Sequence, residues 1–189
     1  MDNTINYAKP VLSGFLGQIG YGLGEQAGDN SALRKLSALG TYSSGAINAV
    51  LAYHNVNNAA TAGGSNKTTL IGGTYDFGVA KAHAAYAWNK GDTTAATVLD
   101  SRDMMIGVSA PVGQGSVLAS YVRKNNKLTS NSDANQLALG YTYALSKRTD
   151  LYTSIARIAN DSNSTINYYG TTAKGNTHNL FDFGIRHKF

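Results

Sequence analysis

The residues best suited to chemistry in this chain are basic and spaced two apart. Lys81 and His83 form one such pair, Arg186 and Lys188 another. Alternate residues of an extended strand share one face, so each pair projects its polar heads into the same space. Asp76 and Asp182 lie close by in the sequence. What such a set can do is electrostatic: it creates a positive field, tempered by carboxylates, that attracts small anions. Covalent chemistry has little support. The four histidines, His54, His83, His178 and His187, show no HxxxH or His-carboxylate spacing, so neither a metal nor another cofactor is expected. Asp100, Asp103, His54 and His178 could meet only by accident of folding, and no motif ties them into a catalytic set, so no enzyme is read here. Gly20-Tyr21-Gly22-Leu23-Gly24 has the glycine density of a phosphate loop. It lacks a following helix and a Lys-Ser or Lys-Thr, so its glycines read as strand residues.

Elements that could hold these pairs are abundant, because period-two alternation recurs from end to end. Leu137, Leu139, Tyr141, Tyr143 and Leu145 fall on one face, with Gln136, Ala138, Gly140, Thr142 and Ala144 on the other. Ile71, Tyr75 and Phe77 oppose Gly72, Thr74 and Asp76, and Phe181, Phe183, Ile185 and Phe189 oppose Asp182, Gly184, Arg186 and Lys188. The pattern predicts strands over 3–9, 13–24, 33–43, 46–56, 67–77, 80–90, 101–111, 115–125, 134–145, 149–160 and 177–189. Many are longer than a typical globular strand and match the roughly 9–11 residues that a tilted strand needs to cross a bilayer.

Composition agrees. Charged residues make up only 14% of the 189, below the roughly 25% usual in soluble domains. Glycine (21) and tyrosine (12), with Ser, Thr and Asn, fill the gap, which disfavours helix. There is no cysteine, hence no disulfide framework. The net charge of +5 is small and no basic run occurs, so nucleic acid is not an expected partner. The first residues, Met1-Asp2-Asn3-Thr4, lack the basic and apolar regions of a signal peptide, so an exported protein would have lost its signal or be represented here by a part.

Short connections at 43–45, 78–79, 112–114 and 146–148 alternate with longer polar ones at 25–32, 56–66, 91–100, 126–133 and 161–176. Membrane barrels have this asymmetry, with short periplasmic turns and long external loops. Alternation alone does not say which face meets solvent, and a soluble antiparallel barrel is the competing reading. Tyr21, Tyr53, Tyr86, Trp88, Tyr121, Tyr143 and Tyr152 recur near strand ends, where aromatics with a polar tip suit a bilayer interface. The opposite face, rich in Gly, Ala, Ser, Thr, Asn and Gln, suits a wet lumen. Lys81, His83, Arg186, Lys188, Asp76 and Asp182 are then expected to line that lumen. Arg157 is assigned there too, because an arginine facing lipid costs up to about 2–4 kcal/mol near the midplane.

Four segments resemble the general porins of Gram-negative bacteria, of the β-proteobacterial and neisserial type. They are Asn3-Thr4-Ile5-Asn6-Tyr7 with Pro10 and Ser13-Gly14-Phe15; Tyr75-Asp76-Phe77-Gly78; Leu145 through Tyr152; and Gly184-Ile185-Arg186-His187-Lys188-Phe189. The resemblance implies a trimeric, 16-stranded outer-membrane barrel about twice this length. This chain resembles the C-terminal part, so the N-terminal strands and the pore-narrowing third external loop are expected to be missing, and trimerisation is in doubt. Phe181, Phe183, Ile185 and the terminal Phe189 resemble the signal read by the outer-membrane assembly machinery.

The expected architecture is therefore an all-β, antiparallel transmembrane β-barrel of about 10–11 strands, forming one shortened domain over 1–189. The expected role is a water-filled pore for passive diffusion of small hydrophilic solutes and ions, with a mild anion preference. The expected partners are outer-membrane lipids, the assembly machinery and the permeating solutes. The alternative is a non-conducting or structural barrel whose lumen is filled by side chains.

Overall fold

The structure is a computed structural model that describes residues 3–189; Met1 and Asp2 of the N-terminal reading lie outside it. Its strands are β1 (Thr4–Ala8), β2 (Phe15–Gly22), β3 (Lys35–Ser44), β4 (Ile47–Asn57), β5 (Ser65–Asp76), β6 (Lys81–Asp92), β7 (Thr97–Val112), β8 (Gly115–Asn126), β9 (Ala134–Ser146), β10 (Thr149–Asn160), β11 (Ile166–Asn167), β12 (Gly170–Thr171) and β13 (Thr177–His187). No helix occurs among the described residues. Hydrogen bonding follows chain order from β1 to β10 and then β13, giving an eleven-stranded sheet, while β11 and β12 pair only with each other. Β1 is the shortest strand of the large sheet, yet all five of its residues are in register with β2.

Two compact units make up the chain. The first comprises the residues up to Thr74 together with Ala85–Arg102. Register there pairs Phe15 with Tyr42, Ile19 with Ala38, Tyr21 with Leu36 and Gly40 with Leu51, so these share one face. Asn6, Gly20, Ser37 and His54 share the other. Its loops are tied by side-chain amides. Asn58 Nδ2 donates to the carbonyls of Gly63 and Asp92, both at 2.8 Å, and Asn57 Nδ2 to that of Ser31 at 2.8 Å.

The second unit comprises Tyr75–Ala84 and Asp103–Phe189. Leu139 faces both Ala119 and Ile155, and Ile155 faces Phe181, which puts an apolar row across β8, β9, β10 and β13. Directly behind it, on the other face, run Ser120, Ala138, Ala156 and Leu180. The turn between β5 and β6 shows how local chemistry fixes these registers. Gly78 adopts φ 83°, its N–H donates to Asp76 Oδ1 at 2.8 Å, and the Phe77 N–H donates to the Ala80 carbonyl at 2.8 Å, closing a tight hairpin.

What the fold buries is unusual. The buried hydrophobic residues among those described are Ala32, Ala134 and Ile158, whereas Phe183 is 75% exposed, Leu137 64% and Phe181 67%. A water-soluble domain of this size hides such side chains. Here the apolar face of each unit is exposed and unpacked, and cohesion comes from the backbone ladders, the arrangement required of a sheet in lipid.

Two connections differ from expectation. The stretch 91–100 is mostly strand, because β6 runs to Asp92 and β7 resumes at Thr97. The Thr93 N–H donates to the Ala96 carbonyl at 2.8 Å, and its hydroxyl accepts from the N–H groups of Ala95 and Ala96, so a four-residue turn suffices. The stretch 161–176 contains the β11–β12 hairpin and is pinned by Asn160. Its Nδ2 donates to the carbonyls of Ile166 (2.8 Å) and Asn176 (2.7 Å), while its Oδ1 accepts from Ser164 Oγ (2.7 Å) and the Ile166 N–H (3.1 Å).

Candidate pore-lining face

The polar face of the second unit is built from the short turns upward. At the β5–β6 turn Lys81 Nζ lies 3.4 Å from Asp76 Oδ2. Two residues along β6, His83 Nε2 is hydrogen-bonded to Ser109 Oγ at 3.0 Å. Lys124 Nζ lies 3.3 Å from Asp103 Oδ1. On β13, Arg186 donates through Nε (3.0 Å) and one terminal nitrogen (2.8 Å) to Asp150 Oδ2. Asp182 faces Ser154 across the same ladder. Between these pairs His83, Ser109, Ser120, Thr142, Tyr152 and Ser154 line an open trough of about 400 Å³.

The cations of this face are thus mostly matched by carboxylates. A bare guanidinium or ammonium sends its field far into a water-filled space, whereas a pair at 3 Å leaves a dipole that fades faster with distance. Chemically the surface mixes small polar and apolar side chains and is weakly charged. It can pass or loosely hold small ions. Among the described residues, no cluster of three or more His, Cys, Asp or Glu side chains is placed to bind a metal.

Lys81, His83, Asp76, Arg186 and Asp182 all fall on the polar face. Lys188 lies just beyond β13, where its backbone N–H donates to the Arg148 carbonyl at 2.9 Å and its own carbonyl accepts from Arg148 Nε at 2.8 Å.

Arg157 is a correction. It stands opposite Leu137 on β9 and Asn179 on β13, and therefore shares the face of Leu151 and Ile155, away from Asp150 and Arg186. The lipid cost that argued against this position applies at the midplane. Arg157 is three residues from the end of β10 at the long connection, within reach of the headgroup zone. Tyr152 is a second correction. It stands opposite Gly184 and Thr142, and its ring lies where a Cβ on Gly184 would be, 2.5–2.8 Å from that point. The ring therefore covers a bare stretch of β13 backbone on the polar face and is no part of an outer girdle.

The remaining aromatics do sit on the apolar face. Tyr21 and Tyr53 follow the register of Leu36 and Ala38, and the Tyr86 and Trp88 rings meet at 4.6 Å. Tyr143 stands opposite Leu151. Tyr121, opposite Leu137, donates its hydroxyl to Asn135 Oδ1 at 2.6 Å. Phe181, Phe183 and Ile185 align with Ile155, Thr153 and Leu151, and Phe189 meets the His187 ring edge-on at 5.0 Å.

Sequence reasoning missed Asp150, Asp103 and Lys124. All three have the correct strand parity, which is the signal that could have found them. Away from the strands, Asp29 in the 23–34 connection accepts hydrogen bonds from the Ser31 hydroxyl (2.7 Å) and the N–H groups of Ser31 (2.8 Å) and Ala32 (3.3 Å). These hold its carboxyl below the usual carboxylate range.

Comparison with known proteins gives a consistent picture. A family model described as Gram-negative porin matches residues 1–163. Outer membrane porin protein 32 of Delftia acidovorans is 31% identical over 207 residues, covering 100% of this chain and 56% of that protein. An outer membrane porin protein of Bordetella pertussis is 32% identical over 193 residues, covering 80% of this chain and 50% of that protein. A solved anion-selective porin from Comamonas acidovorans superposes with a TM-score of 0.91 at 30% identity, covering 98% of this chain and 59% of the other. The chain thus spans between 50% and 59% of the length of these proteins.

Proposed function

The chain belongs to the Gram-negative porin family, whose place is the outer membrane, and from that membership we propose that its polar face lines a water-filled pore for passive diffusion of small hydrophilic solutes and ions. The observation that carries the reading is the separation of faces: one carries large, exposed apolar side chains, and the other carries the polar and charged groups. Outward apolar residues fit lipid, and a polar interior leaves a path for water.

The proposed lining is Lys81, His83, Arg186 and Lys188 with Asp76 and Asp182, joined by Asp150, Asp103 and Lys124. A mild anion preference is supported by the net charge of +5 and by likeness to a porin described as anion-selective. The ion pairs keep that preference small. Residues 1–189 are taken to act as one barrel domain. The relatives are channels rather than enzymes, which supports a role without catalysis. Phe181, Phe183, Ile185 and Phe189 are the proposed contact for the assembly machinery, and a homotrimer is proposed only by analogy with the family.

Planar-bilayer recording tests the pore. Folded protein is expected to give ohmic conductance steps, and their absence at protein densities where insertion is verified defeats the proposal. A second reading, a barrel with a lumen filled by side chains, is favoured by Leu118, Ile158 and Leu180, whose register puts them on the polar face. Swelling of liposomes in sugar solutions separates the two, since only the open pore admits the sugar.

A further inference from the structure

On the polar face of the second unit, β9 presents almost no side chain at Ala138 and Gly140, between strands that carry larger ones. Gly140 stands opposite Leu118 on β8 and Ser154 on β10, Ala138 opposite Ser120, and Thr142 opposite Tyr152. A second glycine keeps this floor open. Gly184 on β13 leaves room for the Tyr152 ring, which leans over it, while a Cβ placed on Gly140 would meet nothing closer than the Thr153 carbonyl oxygen at 3.5 Å. The result is the trough of about 400 Å³, with a floor made chiefly of carbon between the Tyr152 ring and His83.

Three hydroxyls edge the floor: those of Ser120, Thr142 and Ser154. All three residues are half-buried, and among the described residues none of these hydroxyls makes a hydrogen bond within the protein. A hydroxyl both donates and accepts, so three of them on one face match a ligand whose own rim is made of hydroxyls. Charge points the same way. Lys81 lies 3.4 Å from Asp76 and Arg186 2.8 Å from Asp150, so these cations are already matched, and His83 is bonded to Ser109 at 3.0 Å. Asp182, opposite Ser154, adds a carboxylate at the β13 margin that repels an anion and accepts from a neutral hydroxyl. A concave surface that is mostly carbon, with a few placed polar groups, is the usual form of a small-molecule site. A pyranose ring has both halves of the match, an apolar C–H face and a hydroxyl rim, and no charge.

We propose that this trough is a binding subsite for a neutral monosaccharide, its C–H face seated on Ala138 and Gly140 and its hydroxyls bonded to Ser120, Thr142 and Ser154. The inference rests on the pore reading for its setting, since it places the sugar on the proposed lining. To that reading it adds a solute class and a saturable step. A plain water-filled passage has no such step, and flux through it rises linearly with concentration.

The test uses the full chain folded in detergent, with D-glucose as probe and sodium benzoate as a flat anionic control. Saturation-transfer NMR reads which ligand protons touch the protein, and titration gives the dissociation constant. Wild type is expected to give a saturable glucose signal, strongest on the protons of the C–H face. Gly140→Val fills the floor and should abolish that saturation; its Cβ meets only the Thr153 carbonyl oxygen at 3.5 Å and Ser154 Cβ at 3.8 Å, so the strand accommodates it. Ser120→Ala, Thr142→Val and Ser154→Ala combined remove the hydroxyls and leave the floor open. They should weaken binding about tenfold, the low end of what three neutral hydrogen bonds contribute. Gly40→Val, opposite Leu51 on the apolar face of the first unit, should change nothing. Folding of each variant is verified by heat-modifiable gel mobility, and the combined hydroxyl variant keeps the test decisive if Gly140→Val misfolds. A wild-type glucose signal that rises linearly without saturating overturns the proposal. So does equal affinity in wild type and the combined variant, or saturable binding of benzoate in place of glucose. An absence of conductance with saturable glucose binding intact would defeat the pore reading and leave the sugar site standing.

Discussion

Removing the carboxylate of Asp150 should make a conducting pore more anion-selective, by an amount that depends on salt. In the folded protein Arg186 Nε and a terminal guanidinium nitrogen lie 3.0 and 2.8 Å from Asp150 Oδ2, so the pair presents little net charge to a passing ion. Asp150→Asn keeps the shape and leaves one uncompensated positive charge. At about 8 Å from the path of an ion, a unit charge in water contributes about 0.5 kcal/mol. With a screening length of roughly 10 Å at 0.1 M salt this falls to about 0.2 kcal/mol, and at 0.01 M it remains about 0.4 kcal/mol. Anions gain that amount and cations lose it, so the permeability ratio should rise about twofold at 0.1 M and about fourfold at 0.01 M. The assay is the reversal potential across a planar bilayer under a salt gradient, recorded at both concentrations with single-channel conductance as a check on integrity. Arg157→Gln is the matched control and should leave the reversal potential where it was. A Asp150→Asn pore of normal conductance with an unchanged reversal potential, or one shifted toward cations, would refute the assignment of Asp150 and Arg186 to the lumen.

Two further outcomes follow from the faces and the loops. Phe183→Arg should destabilise the folded state in lipid vesicles by about 2–4 kcal/mol, whereas Ser154→Arg, which faces Asp182 on the polar side, should stay within about 0.5 kcal/mol of wild type; urea titration gives both, and the reverse ranking would show the faces to be misassigned. Because the Asp29 carboxyl is held below its ordinary value, the order it lends to the 23–34 connection is present above the usual carboxylate range and is lost as pH falls through the lowered folded-state value. Hydrogen-exchange protection factors of the Ser31 and Ala32 amides should accordingly be high at pH 6 and low near pH 2, and Asp29→Asn should be low at both.

Much of this architecture was legible because alternation and turn chemistry are local. The β9 pattern over 136–145 needs no partner to be recognised, and strand limits at Thr149 and Asn160 were readable from the polar residues that flank them. What was not legible depended on position along a strand or on register across a long connection. Arg157 was placed by an energy appropriate to the midplane and not to a strand end, where its parity with Leu151 and Ile155 would have served better. Tyr152 was grouped with other tyrosines by type, although Gly184, the residue that makes room for its ring, lies across a ladder joined by the 161–176 connection. The same long connection hid the Asp150–Arg186 pair, because no tight turn sets the register between β10 and β13. The third unread feature, strand in place of loop over 91–100, came from the Thr93 hydroxyl closing a turn that composition alone makes look disordered.

The hydrogen-bond order, in which each large strand follows its predecessor in the chain, has a kinetic consequence. No pairing up to β10 requires closing more than one connection, so the contacts are of low sequence separation and the search for them is short. Assembly can proceed as a zipper, each new hairpin docking on the edge left by the last. At every stage that edge carries unpaired N–H and C=O groups flanked by apolar side chains, a template for aggregation in water. The slow step is then expected at β13, the strand that must span the 161–176 connection to find its neighbour. Until it docks, the β10 edge stays open, and the aromatic side chains of β13 are the last of the apolar surface expected to be brought under the protection of lipid.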